Sequence, residues 1–191
     1  MNESTQKTVM LGLSREEIAS LIPDCPKYTA SQIYSFLQDG KDFDEMTSLK
    51  KDLRERLKED FVANPVSILE VFTGKSGTKK YLFRLLDDNL IEGVYMPHDY
   101  GDTLCLSTQI GCRMGCTFCA STLDGLVRNL TPAEMLGQVI CVNRDNGGNA
   151  KSRVVTNLVL MGSGEPLDNY DNVIAFLRRL ASPDNLNVSP R

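Results

Sequence analysis

Cys112-Arg113-Met114-Gly115-Cys116-Thr117-Phe118-Cys119 places three thiols on one short C-x3-C-x2-C run. Thiols at this spacing converge only if the loop wraps around a single object. Zinc sites usually take four ligands from two separated pairs. Here there is no second pair, and the only histidine is His98. Three thiolates on one loop suit three irons of a 4Fe–4S cube, with the fourth iron open to a ligand. Gly111 and Gly115 give the backbone freedom to wrap closely. A zinc loop and three unconnected structural cysteines are the alternatives. The other cysteines are Cys25, Cys105 and Cys141. A secreted disulfide framework would spread its cysteines and follow a signal peptide, and the opening MNESTQKTVMLGLSREE has no apolar core or cleavage site. The cluster therefore points to metal or redox chemistry in a cytoplasmic setting.

A second candidate is Met161-Gly162-Ser163-Gly164-Glu165-Pro166, which follows the apolar run VVTNLVLM. A glycine-rich turn at the C-terminal end of a parallel strand is where such sheets bind ligands. Taken alone, a Gly-x-Gly is as readily an ordinary turn. Charge says less. The 191 residues carry a net charge of −4, with the densest basic stretch at Lys50, Lys51, Arg54, Arg56 and Lys58 diluted by three acidic residues. A solvated helix face explains that stretch as well as a nucleic-acid contact does. Composition excludes a disordered chain, a collagen or a coiled coil, and no apolar run is long enough for a membrane helix.

The elements that must position these residues divide the chain in three. Residues 1–63 read as helical. Ser14 and Glu17 form a capping box stapled by Leu13 and Ile18, Thr29 and Gln32 suggest a second box, Gly40 stops that helix, and Leu49, Leu53 and Leu57 give a third helix one apolar stripe. Residues 64–102 read as a β-meander, with runs Val66–Thr73, Thr78–Leu86 and Leu90–Pro97 separated by turn signals. From 103 the rhythm is strand Thr103–Ile110, loop, a helix from Thr131-Pro132 to about Asn143, strand Val154–Met161, a helix from Tyr170 to Leu180, and a terminal loop. That βαβα order argues a parallel sheet and an α/β chain.

The stretches TLCLSTQIGCRMGCTFCASTLDGLVRNLTPAEMLGQV and VTNLVLMGSGEPLDNYDNV closely resemble the RlmN/Cfr family of radical-SAM RNA adenine methyltransferases. The helical start resembles that family's accessory domain more loosely. The resemblance implies a helical, RNA-binding-like domain and a β-meander leading into the first part of a partial (β/α) barrel. It assigns Cys112, Cys116 and Cys119 to the 4Fe–4S cluster, and Gly164 and Glu165 to the amino group of S-adenosylmethionine. It makes Glu92, in Leu-Ile-Glu-Gly-Val-Tyr-Met-Pro, a proton acceptor. Cys105 would be the thiol that resolves a covalent RNA–protein intermediate through a transient disulfide; on its own it would read as a buried structural thiol, and Glu92 as a solvent-facing strand residue. Cys25 and Cys141 match no role. The implied activity is methylation of carbon 2 of adenosine in 23S ribosomal RNA and transfer RNA, through a methyl-cysteine that a 5′-deoxyadenosyl radical activates. The implied partners are those RNAs and an electron donor such as flavodoxin or ferredoxin, acting on a monomer without a membrane.

The chain ends at Ser189-Pro190-Arg191, after about two βα units, and no cysteine follows Cys141 to carry the methyl group. The expectation is an N-terminal fragment or truncated product, inactive alone and poorly soluble. A Cfr-type enzyme acting on carbon 8, a non-catalytic iron–sulfur or RNA-binding fragment, and a zinc-binding RNA module are the competing readings.

Overall fold

The computed structural model describes residues 7–188; Met1–Gln6 and the terminal Ser189-Pro190-Arg191 lie outside the described residues. The N-terminal part holds α1 (Arg15–Leu21), α2 (Lys27–Gln38) and α3 (Lys51–Asp60). Ser14 caps α1: its hydroxyl accepts from the Glu17 N–H at 3.1 Å, and the Glu17 carboxylate accepts from the Ser14 N–H at 2.7 Å. α2 does not start at a Thr29 box. Pro26 holds the extended conformation ahead of it, the helix begins at Lys27, and Thr29 is buried inside its first turn. Proline's fixed φ makes it a sufficient entry residue without a side-chain cap. Gly40, at φ +70°, closes α2 with the expected paired bonds, Gly40 N–H to Leu37 O and Lys41 N–H to Phe36 O. Leu49 lies ahead of α3 rather than on it, yet is buried beside Leu57.

This part is not wholly helical. β1 (Thr8–Val9) and β2 (Phe61–Val62) pair in parallel, and two-residue strands leave no period to read. A short turn of 3-10 helix at Phe43–Glu45, with its own Asp42/Glu45 capping box, drives Phe43 into the core.

The meander forms as its turn residues dictate: β3 (Val66–Thr73), β4 (Lys79–Leu85) and β5 (Leu90–Met96) are antiparallel neighbours. Gly77 at φ +82° and Asp88 at φ 62° make the two turns. The sheet continues without a break into β6 (Asp102–Cys105), antiparallel to β5, and then β9 (Val155–Val159), parallel to β6. The order is β3-β4-β5-β6-β9.

The run Thr103–Ile110 is not one strand. β6 stops at Cys105, and Gln109–Gly111 becomes β7, which pairs with an unanticipated β8 (Leu126–Asn129) in a separate hairpin. Ser107 and Gln109 are fully buried and polar, and they are satisfied by partners distant in sequence: Gln138 and the Glu92 carbonyl for Ser107, and Asp168 for Gln109.

α4 (Pro132–Asp145), capped by Thr131 and Glu134, crosses from β8 to β9. Met135, Leu136, Val139 and Ile140 pack into a common core with Tyr81, Phe83, Ile91 and Leu104 of the sheet. A Cβ on Gly137 would sit 2.7 Å from Val66 Cγ2, so glycine permits that approach to β3. α5 (Tyr170–Ala181) packs beside α4 through Val173, Phe176 and Leu180.

Glu45 joins the helical part to α4. Both its carboxylate oxygens accept from the Arg144 guanidinium, which holds the carboxyl down at about 2. A depressed folded value means stability present above the unfolded value and lost as pH falls toward the folded one. The helical part should therefore loosen from α4 as pH drops from about 4.5 to about 2. Amide exchange across α2 and α4 along an acid titration would detect it, and Glu45→Gln should flatten the dependence. An unchanged titration in that variant would exclude this pair as the cause.

Candidate active site

The cysteine loop is rooted where glycine is obligatory. Gly111 has φ +72°, and a Cβ there would collide with the Gly125 carbonyl. That carbonyl accepts from the Cys112 N–H at 3.0 Å. Gly115 also takes positive φ, and the Cys119 N–H bonds Cys116 O at 3.1 Å, tightening the end of the loop. Cys112 is buried, Cys119 half-buried and Cys116 exposed. The loop thus carries all three thiols, but among the described residues no three Cys, His, Asp or Glu side chains form a group that could hold a metal ion. The chemistry of the donor set fits an iron–sulfur centre: three soft thiols on one glycine-flanked loop.

The Gly-x-Gly-Glu turn follows β9 and lies against the root of that loop. A Cβ on Gly162 would sit 2.7 Å from the Leu106 carbonyl and Ser107 nitrogen; one on Gly164, at φ +104°, 2.6 Å from Gln109 Cβ. Ser163 O accepts from the Thr108 and Gln109 N–H groups at 2.9 and 3.1 Å. The Ser163 N–H donates to Ser107 Oγ at 2.9 Å, and the Glu165 N–H to Gln109 Oε1 at 2.8 Å. The Glu165 carboxylate accepts from the Leu167 N–H at 3.0 Å and caps the short helical turn at Pro166–Asn169. Turn and loop therefore meet at the C-terminal ends of the two parallel strands, β6 and β9.

Glu92 and Cys105 share one face of the sheet. Val94 is opposite Cys105 in the register, and Glu92 lies two residues along the same strand. This face is the one α4 leaves uncovered. Glu92 is exposed and paired with Lys80 at 2.7 Å. Its backbone carbonyl accepts from Ser107 Oγ at 2.8 Å, which ties it to the turn network. Burial pushes the Cys105 thiol above its ordinary value, offset in part by a backbone hydrogen bond from Met161.

No family model matches the chain. A relative from Lachnoclostridium phytofermentans, named "Probable dual-specificity RNA methyltransferase RlmN", is 46% identical over 100% of this chain and 54% of its own length. A relative of the same name from Bacillus thuringiensis subsp. konkukian is 41% identical over 100% of this chain and 53% of its own. The crystal structure of a radical SAM methyltransferase from Sphaerobacter thermophilus superposes with a TM-score of 0.86 at 35% identity, covering 95% of this chain and 54% of that one. The chain belongs to the RlmN family. It spans about half the length of the RlmN relatives it matches.

Beyond the residues that the RlmN resemblance singles out, the site rests on several that sequence reasoning missed: Ser107, Gln109, Arg113, Gln138, Asp168 and Asn169. Gln138 of α4 accepts from the Ser107 N–H and donates to its carbonyl, both at 3.0 Å. Asn169 Nδ2 donates to Thr108 O at 2.8 Å and Leu130 O at 2.9 Å. The available signal was a run of polar residues, Ser107-Thr108-Gln109, between apolar positions at the end of a strand.

The basic stretch of the helical part is substantially engaged. Arg54 donates to Asp44 O at 2.6 Å, and Lys58 pairs with Asp44 at 2.7 Å and Glu55 at 2.9 Å. All six cysteines are free thiols. Cys141 is half-buried behind Asn64 and Val66, and desolvation pushes its thiol to about 11. Thiolate fraction and exposure set alkylation rates. In the apo chain at mildly alkaline pH, iodoacetamide should reach exposed Cys116 first, Cys105 slowly and Cys141 last. Peptide mapping by mass against time checks that order, and early labelling of Cys141 would contradict the packing around it.

Proposed function

We propose that this chain is the part of a radical-SAM RNA methyltransferase that holds the cluster and begins the binding of S-adenosylmethionine, and that the activity of the longer protein is methylation of carbon 2 of adenosine in 23S ribosomal RNA and transfer RNA. The observation that carries this reading is the hydrogen-bonded junction of the cysteine loop and the Gly-x-Gly-Glu turn at the ends of two parallel strands. In this reading Cys112, Cys116 and Cys119 hold the 4Fe–4S cluster, while Gly164 and Glu165 receive the amino group of S-adenosylmethionine. When bound, the reduced cluster supplies the electron that cleaves S-adenosylmethionine. Glu92 is the proton acceptor, and its carboxylate must exchange Lys80 for the substrate. Cys105 is the resolving thiol, and its burial disfavours the thiolate until a base reaches it. The relatives' RlmN names favour carbon 2 over the Cfr-type carbon 8 reaction. An electron donor such as flavodoxin or ferredoxin, a monomeric state and a cytoplasmic location belong to the same proposal. The partial (β/α) barrel does too: β6 and β9 would be its first strands, with the missing ones completing the edge beyond β9. Without a cysteine after Cys141, the 191-residue chain alone is expected to yield no 2-methyladenosine.

Anaerobic reconstitution should load about one 4Fe–4S cluster per chain. Ala at Cys112, Cys116 or Cys119 should abolish loading, and Ala at Cys25, Cys105 or Cys141 should not. Iron and sulfide analysis with electron paramagnetic resonance reads the result. Full loading of Cys116→Ala would sink the assignment, and tightly bound zinc without sulfide would favour the zinc-loop alternative.

The helical part is proposed to contribute RNA affinity. With Arg54 and Lys58 turned toward Asp44, Lys50, Lys51 and Arg56 are the residues expected to meet phosphate. Removing one cation that meets a phosphate should lower the slope of log affinity against log salt by about 0.7–0.9. Replacing Lys50 and Lys51 by Gln in the longer protein should reduce both affinity and slope while leaving iron content unchanged. An unaltered slope would return this stretch to an ordinary solvated surface.

A further inference from the structure

Asp168 lies three residues after Glu165, in the short helical turn that follows the Gly-x-Gly-Glu segment. Its side chain is only 12% exposed. It accepts from Arg113 Nε at 2.9 Å, from Arg113 Nη2, and from Gln109 Nε2 at 2.9 Å. Arg113 follows Cys112 directly. Among the described residues it is the only member of the stretch 112–119 whose side chain hydrogen-bonds outside the loop. Gln109 is fully buried, and its Oε1 accepts from the Glu165 N–H at 2.8 Å. One carboxylate therefore gathers the cysteine loop through a two-pronged guanidinium contact, the root of that loop through an amide, and the ligand turn through its own backbone. A fork-to-carboxylate pair fixes orientation as well as distance. A carboxylate this shielded is costly to leave without its donors.

We propose that Arg113 and Asp168, with Gln109 between them, are positioning residues: a latch that sets the cysteine loop against the Gly-x-Gly-Glu turn, and so fixes how a group held on the loop faces a ligand held on the turn. The latch deepens the proposed function and rests on that reading for the identity of the two groups; the mechanical coupling of loop and turn does not. The latch makes the two segments one unit, so loosening either end should be felt at the other.

The test is a mutant cycle in the 191-residue chain, with Arg113→Ala, Asp168→Ala and the double variant. Amide exchange in the apo chain is read over 112–119 and over 162–167. Each single variant should raise exchange in both segments, and the double variant should add little to either, because residues acting as one unit are non-additive. In reconstituted chain, Asp168→Ala should keep its iron content. The S-adenosylmethionine concentration that half-converts the resonance spectrum of the reduced cluster should rise about tenfold, the scale on which outer-shell partners act. Arg113→Lys keeps the charge without the fork and should fall between wild type and Arg113→Ala.

Single variants that each disturb only their own segment, with additive effects, would overturn the latch. So would an unchanged spectroscopic midpoint in an Asp168→Ala chain that loads normally. If wild type loads no cluster, the cluster reading fails and the exchange cycle still decides the coupling. If Asp168→Ala does not fold, Asp168→Asn, which keeps the shape, and Arg113→Gln, which keeps a polar side chain without the guanidinium, remove the charges, and the same cycle run on them decides the coupling by the same criterion.

Discussion

Gln109 is sealed from water, and all of its side-chain hydrogen-bonding groups are committed: Oε1 to the Glu165 N–H, Nε2 to Asn129 and Asp168. Its neighbour Ser107 is equally enclosed, between Gln138, Glu92 and Ser163. Each such group, if left unpaired, costs about 1–3 kcal/mol. The Ser107 and Gln109 side chains thus find all these partners only where the Gly-x-Gly-Glu turn, the β7–β8 hairpin and α4 are all present at once. This is why Gly162 and Gly164 admit no side chain: the turn must come within van der Waals contact of the Leu106–Gln109 backbone for the bonds to form.

The rest of the sheet follows from which of its faces is spent. α4 covers the face bearing Tyr81, Phe83, Ile91 and Leu104. The period of two then puts Lys80, Glu92, Val94 and Cys105 together on the other. Glu92 and Cys105 become neighbours in space because both are out of register with the core, not because they contact each other. The Lys80–Glu92 pair, exposed on both sides, has little worth as a stabiliser.

Much of this was legible locally. Ser14-Arg-Glu-Glu17 and Thr131-Pro-Ala-Glu134 specify caps with bonds between near neighbours, and both formed. The meander was legible because Gly74–Gly77 and Asp87–Asn89 state their turns in their own residues. Where a local signal had a rival, it misled: Thr29 looks like a cap, but Pro26, three residues earlier, had already fixed the entry. The strand Thr103–Ile110 failed for the opposite reason. Its alternation is real, but Ser107 and Gln109 answer to Gln138, Ser163 and Asp168, which lie 31, 56 and 59 residues away. No window around the strand contains them. The cysteine spacing and the Gly-x-Gly were visible as motifs; the polar side chains that join them were not, because their partners are defined only by the fold.

Those separations also order the assembly of the site. Closing a chain segment of this length has an entropic cost that grows only slowly with length, but that cost precedes any bond it makes possible. α4 shortens the search. It lies between the two halves of the site in sequence, and Gln138 grips the backbone of Ser107 on both its N–H and C=O. Its C-terminal end, through Asn143, accepts from the N–H groups of Val154 and Val155 where β9 begins. A helix fixed at its middle to the segment just past β6 and near its C-terminal end to the start of β9 sets the two strands side by side and in parallel. The Gly-x-Gly-Glu turn then emerges next to the cysteine loop as a consequence of the crossover. On this view α4 is the template on which the two motifs meet, and the bonds of Gln109 and Asp168 secure an encounter that the helix has already arranged.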